Sequence, residues 1–278
     1  MDVKSKWTKD YSGRIERNIG IISYEEQEKI RKSTVAVMGV GGLGAPLAIN
    51  LALIGCESFI VVDFDVVERS NLNRLPYGTD KIGKRKIDVI EEQLKGINDK
   101  ITIKKYLTVN NSNIDEILQH VNVIALTLDG PVASVLIARK AKELNIPMIE
   151  TWAIPFVFAW WFTSESPDYE SCYGLSTRKI SADVMEDNPE IADGIRQKQI
   201  EHLLKLPDIK KYYSREQGFY ELLTQKKIGL RSLAPFVWLN STYVASEIIF
   251  AGILGIKQKI TAPEMKGFNV LTLEPLHV

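Results

Sequence analysis

The chain has 278 residues, 45% hydrophobic and 25% charged, with 35 Lys plus Arg balanced by 35 Asp plus Glu. Those proportions suit a globular protein with a sizeable core, as one large domain or two small ones, and the zero net charge leaves no whole-chain field to draw it to nucleic acid or to an anionic membrane. Two cysteines, Cys56 and Cys172, and three scattered histidines make neither a disulfide framework nor a four-ligand structural zinc site, so no zinc is expected and a reducing, cytoplasmic compartment is the natural reading.

In chain order, MDVKSKWTKDYSGR lacks the apolar segment of a signal peptide. No apolar run is expected to reach the roughly 18–20 residues that span a bilayer. EEQEKIRK (25–32) reads as a helix before the first strand, TVAVMGV (34–40), a β-branched run ending in glycine. GVGGLG then opens a helix through APLAINLALIG, stopped by Gly55. SFIVVDFD (58–65) is a second buried strand. GKRKIDVIEEQLK (83–95) is an amphipathic helix with Ile87, Ile90 and Leu94 on one face. ITIKKYL, the short helix NIDEILQH, the strand VNVIALTL, the helix PVASVLIARKAKELN with proline at its start, and the strand IPMIETW follow. Regular alternation from 34 to 152 predicts an α/β fold, a doubly wound and mostly parallel Rossmann-like sheet with right-handed crossovers.

Beyond residue 152 the pattern changes. FVFAWWFT (156–163) reads as one added strand, 165–178 as loop, 181–225 as charged and helical, 236–253 as an apolar packed helix and FNVLTLE (268–274) as a closing strand. The expected organisation is an N-terminal helical segment (1–32), a nucleotide-binding core (33–164), a helical insertion (165–235) with a possible docking role, and a C-terminal helix and strand (236–278) completing the core. Within the insertion, KLPDIKKYYSREQ could touch a tRNA; a solvated helix face is the preferred reading, because charge runs are usually solvated and the whole chain is neutral.

Ligands of such sheets bind at the carboxyl ends of the strands. Gly39, Gly41 and Gly44 satisfy G-x-G-x-x-G between a strand and a helix, with Gly42 between them, and Asp63 follows at the distance of a ribose-binding acid. That pattern specifies a nucleotide and would serve NAD equally. The continuation DFDVVERSNLNR (63–74) favours a triphosphate: Arg74 can fork to phosphate oxygens, Asn71 can hydrogen-bond them, and Lys86 adds a point charge. Asp129 closes a strand on the same rim, where a carboxylate can hold Mg²⁺. Plainer readings exist: Arg74 pairing with Asp65, Lys86 as helix surface, Asp129 as a helix cap.

GVGGLG, DFDVVERSNLNR, the Gly83–Lys86 G-x-x-K and the strand-end Asp129 together resemble the ThiF/MoeB/HesA adenylyltransferases, relatives of the ubiquitin-activating enzymes, most clearly over residues 11–155. The resemblance implies ATP and Mg²⁺ as cofactors. It implies attack on the α-phosphate by a carboxylate, usually the C-terminus of a small carrier protein or peptide, and a homodimer. By the same resemblance Gly41, Gly42 and Gly44 line the nucleotide loop and Asp63 holds the ribose. Asp65 belongs to the same loop; Asn71, Arg74 and Lys86 contact phosphates, and Asp129 binds the metal. The family also places an arginine before the first helix, reaching a partner subunit's ATP; Arg17 fits best and Arg14 is the runner-up. Two departures matter: the paired C-x-x-C motifs are absent, and no cysteine follows Cys172, so adenylation is expected without a built-in thioester step.

Overall fold

The computed structural model describes residues 7–225 and 231–277. The N-terminal segment folds as α1 (Lys9–Arg14), capped by the Thr8 hydroxyl, and α2 (Tyr24–Lys32), which Ser23 and Glu26 close with a reciprocal capping box. The alternating region gives β1 (Thr34–Met38), α3 (Gly44–Leu53), β2 (Ser58–Val62), α4 (Lys86–Ile97), β3 (Thr102–Tyr106), α5 (Ile114–Leu118), β4 (Val123–Leu126), α6 (Pro131–Glu143) and β5 (Met148–Glu150). Two short strands follow, β6 (Phe156–Phe158) and β7 (Trp160–Phe162). The helices α7 (Tyr169–Tyr173), α8 (Ala182–Glu186), α9 (Pro189–Leu203), α10 (Ile209–Tyr213) and α11 (Phe219–Thr224) lie in the stretch expected as an insertion. The chain then runs through α12 (Ala234–Glu247), a π-helical turn over Ile248–Ile253, β8 (Lys266–Asn269) and β9 (Pro275–His277).

The main sheet has six strands in the order β3-β2-β1-β4-β5-β7, parallel except for β7, which runs antiparallel to β5. This is the doubly wound order, and the chain reverses direction across the sheet between β1 and β4. Both faces are covered, as a parallel sheet requires. Ala36, Met38, Ile60, Val62, Ile124 and Leu126 pack under α5, α6 and the insertion helices. Val35, Val37, Phe59, Val61, Val123 and Ala125 alternate with them and pack under α3, α4 and α12. The period-2 pattern in each strand is therefore the partition between two cores.

Several expectations are corrected. FVFAWWFT is two strands rather than one: Ala159 lies between β6 and β7, and β6 belongs to a separate antiparallel sheet ordered β6-β8-β9. Residues 165–178 contain α7, started by the Asp168 carboxylate, which accepts the Ser171 amide proton. FNVLTLE is a strand only as far as Asn269 and then turns, with Leu273 at φ 60°. The helix expected from Gly83 begins at Lys86, because Gly83 takes φ +86°. Ala234–Ile253 forms 20 helical residues, long and apolar enough to cross a membrane by length and composition, against the expectation for this chain. More than half of that stretch is buried and it packs on α3 and β6, so it serves as a core helix.

Candidate active site

The glycine loop is built by close approach. Gly39 has φ +97°, and a Cβ there would lie 2.6 Å from Leu128 Cα. A Cβ on Gly44 would lie 1.8 Å from the Gly39 carbonyl oxygen, which also accepts the Thr127 hydroxyl proton at 2.7 Å. The end of β1, the start of α3 and the end of β4 are thus pressed together at the reversal point of the sheet. Gly41 faces open space, and the stem of Arg74 lies over Gly42, whose added Cβ would sit 3.1 Å from Arg74 Cδ. Among the described residues no side chain caps α3, which leaves a helix N-terminus suited to an anion.

Asp63, just after β2, faces this loop. Its Oδ2 accepts the Val40 amide proton at 2.9 Å and its Oδ1 that of Asp65 at 2.8 Å. Burial pushes its carboxyl above the ordinary value, while the Asp65 amide, the nearby Lys86 charge and the Val40 amide pull it back. Asp65 pairs with Lys86 at 2.6 Å, and the Lys86 side chain is only 9% exposed. The plainer reading of Lys86 as helix surface therefore does not hold, and neither does the plainer pairing of Arg74 with Asp65, because Asp65 is taken by Lys86. Asn71 is buried and its Oδ1 accepts the Glu68 amide proton at 3.2 Å, shaping the loop. Arg74 donates to the Ser70 carbonyl (3.2 Å) and to Asn73 Oδ1 (2.8 Å), with its side chain half-buried over Gly42.

Asp129 follows Leu128, the residue in contact with Gly39. Its side chain is 90% exposed and is ion-paired with Arg196 of α9. Its reading as a helix cap fails, because α6 is preceded by Gly130 and has no side-chain cap. Among the described residues no group of three or more His, Cys, Asp or Glu side chains gathers to hold a metal. A lone strand-end carboxylate fits Mg²⁺ shared with substrate phosphates and does not fit an all-protein cage.

The two candidate arginines of the N-terminal segment lie elsewhere. Tyr11, Asn18 and Gln27 bind the carbonyls of Ile54 and Gly55, past the far end of α3, about 15 Å from the glycine loop at the rise of an α-helix. Arg14 is fixed there by Asp10 (3.1 Å) and the Ile97 carbonyl (3.1 Å). Arg17 is exposed on the turn Glu16–Asn18 and makes no ion pair among the described residues. Within one chain neither joins the glycine loop. Burial disfavours both thiolates, pushing Cys56 up to about 12 and half-buried Cys172 up to about 11. The adjacent tyrosines of the basic 205–217 stretch turn inward, Tyr213 buried and the Tyr212 hydroxyl accepting from Asn269 at 2.5 Å.

Sequence reasoning missed four residues around this rim. Trp238 Nε1 donates to the Arg74 carbonyl (3.0 Å), and the Ser241 hydroxyl lies 2.8 Å from the carbonyls of both Leu43 and Val237. α12 thereby clamps both the glycine loop and the 63–74 loop. Arg196 sits in a charged stretch that gave no signal. Glu150, at the end of β5, carried the same signal as Asp63 and Asp129: an acid closing a buried strand. It accepts from Trp160 Nε1 (3.0 Å), Tyr169 (3.0 Å) and Tyr173 (2.7 Å), and burial pushes its carboxyl up to about 7.

A model of the ThiF family matches residues 15–276. The chain belongs to the ThiF family. Among curated ThiF-like relatives, a sulfur carrier protein adenylyltransferase of Thermus thermophilus is 30% identical over 148 residues, 52% of this chain and 55% of the relative. The chain spans about half or less of the length of the curated relatives it matches. Among solved structures, PaaA superposes with a TM-score of 0.70 over 98% of this chain and 84% of that one, at 17% identity. Escherichia coli MccB, solved with ATP, superposes with a TM-score of 0.68 over 97% and 72%, at 18% identity. These structures share the α/β fold of this ThiF-family chain.

Proposed function

We propose that this chain is an ATP-dependent adenylyltransferase that activates the C-terminal carboxylate of a small carrier protein or peptide. The observation that carries the reading is the convergence at one point of the sheet: an uncapped α3 behind Gly41 and Gly42, Asp63 across from it, Arg74 laid over it, and Asp129 next to Leu128, the residue past β4 that meets Gly39. The relative named as a sulfur carrier protein adenylyltransferase supports the choice of acceptor.

In this reading the glycine-loop amides and the start of α3 bind the phosphates, and Asp63 orients the ribose through the lone pairs its two amide bonds leave free. Arg74 and Lys86 stabilise charge on the phosphate oxygens. Asp129 would hold Mg²⁺, which supplies charge neutralisation to the phosphates when bound. A carboxylate oxygen of the acceptor forms a bond to the α-phosphorus. The bond from that phosphorus to the bridging oxygen breaks, and its electron pair leaves with pyrophosphate. No protein base is required, because the attacking group is already ionised at pH 7. The raised thiols of Cys56 and Cys172 support transfer ending at the adenylate, with no acceptor cysteine in this chain.

ATP–pyrophosphate exchange against a panel of carrier proteins and peptides tests this directly. Asp129→Ala should lower exchange by about 10²-fold or more while leaving the melting temperature unchanged, since the side chain is exposed. Undiminished exchange would remove Asp129 from the reaction, and binding of NAD in place of ATP would overturn the assignment.

A further inference from the structure

Two cations near the proposed nucleotide site are already engaged. Lys86 is held by Asp65, and Arg196 by Asp129. The second pair is the unusual one, because it ties the candidate metal ligand to a helix of the insertion. Arg196 is not a wandering surface side chain. α9 buries Ile195 and Leu203 in the core, and Gln199, three residues on and therefore on the same helical face, donates to the Tyr169 hydroxyl at 2.8 Å. Tyr169 in turn donates to Glu150 at the end of β5. The helix is thus anchored beside the sheet rim, and the anchored face presents Arg196 to Asp129.

We propose that Arg196 is a phosphate ligand supplied by the insertion, kept in place by Asp129 until Mg²⁺ and ATP arrive together. The proposal rests on the adenylyltransferase reading and assigns to this site a cation that the sequence motifs do not contain. The Asp129 carboxylate is 90% exposed, and so open an ion pair is weakly held, worth about 0–1 kcal/mol. A divalent ion taking that carboxylate would leave the guanidinium unpaired next to a polyanion. Its planar fork suits phosphate oxygens. The exchange couples occupancy of the nucleotide site to the position of α9, and through it to the insertion. Before nucleotide binds, the same contact masks both charges.

The test is a double-mutant cycle on ATP affinity, read by calorimetry with and without Mg²⁺, on wild type, Arg196→Ala, Asp129→Asn and the double variant. Arg196→Ala is expected to weaken Mg·ATP binding roughly tenfold. Asp129→Asn, which frees the arginine, is expected to bind Mg-free ATP several-fold more tightly than wild type. The double variant should lose that gain. If wild type binds Mg·ATP while the double variant matches Asp129→Asn, or if Arg196→Ala binds as wild type does, the role of Arg196 is overturned and the nucleotide site stands. If wild type binds no ATP in either condition, the nucleotide reading falls and this proposal with it.

Discussion

A methyl group added at Gly44 would meet the Gly39 carbonyl oxygen at 1.8 Å, whereas one added at Gly42 would meet only the Arg74 side chain, at 3.1 Å. Backbone cannot step aside there and a long, flexible side chain can. Gly44→Ala should therefore destabilise the fold by about 3 kcal/mol or more, read as a clear drop in melting temperature. Gly42→Ala should melt near wild type and weaken ATP binding by displacing Arg74. These glycines, with Asp63, Arg74, Lys86 and Asp129, could be picked out because each combines a telling residue type with a place at a strand end or helix start. Arg196 could not. It lies 67 residues from Asp129 in a stretch full of other charges, and only packing of α9 brings the two together.

Between elements, the Glu150 carboxyl joins β5, β7 and α7, and Gln199 of α9 is added through the Tyr169 hydroxyl. Its folded value of about 7 stands above the ordinary 4.5, so over that window the folded protein keeps a proton the unfolded chain has lost. Stability is full below the lower value and declines as pH rises through the upper one. The change should be about 3 kcal/mol at most, measured as urea unfolding between pH 5 and 8, and Glu150→Gln should flatten it. The elements from β1 to β5 were legible because propensity, hydrophobic period and turn residues agreed. The later ones were less so. A run such as FVFAWWFT is apolar at every position, so nothing in its pattern marks the change of sheet at Ala159.

For the whole molecule, the place of the N-terminal segment decides how Arg17 can act. It lies past the far end of α3, exposed and without an ionic partner among the described residues, so under the adenylyltransferase proposal it would serve the nucleotide from a second copy. A homodimer with exchanged arginines predicts complementation. Arg17→Ala and Asp129→Ala should each be inactive in pyrophosphate exchange, and mixing them should restore about a quarter of wild-type activity by random pairing, with one intact site in each mixed dimer. Failure to recover activity, or a monomer by sedimentation, would refute the exchange.

The Ser241 contact with the Leu43 carbonyl joins residues 198 apart, and that of Trp238 with the Arg74 carbonyl spans 164. A ribosome therefore releases every glycine of the loop long before it makes the helix that closes over them. A nascent chain stopped at residue 233 would carry the recognisable motif intact and still lack its clamp, with the side of α3 that packs on α12 uncovered and open to chaperones. Under the adenylyltransferase proposal such a fragment should not retain ATP, and nucleotide binding would be acquired only late in translation.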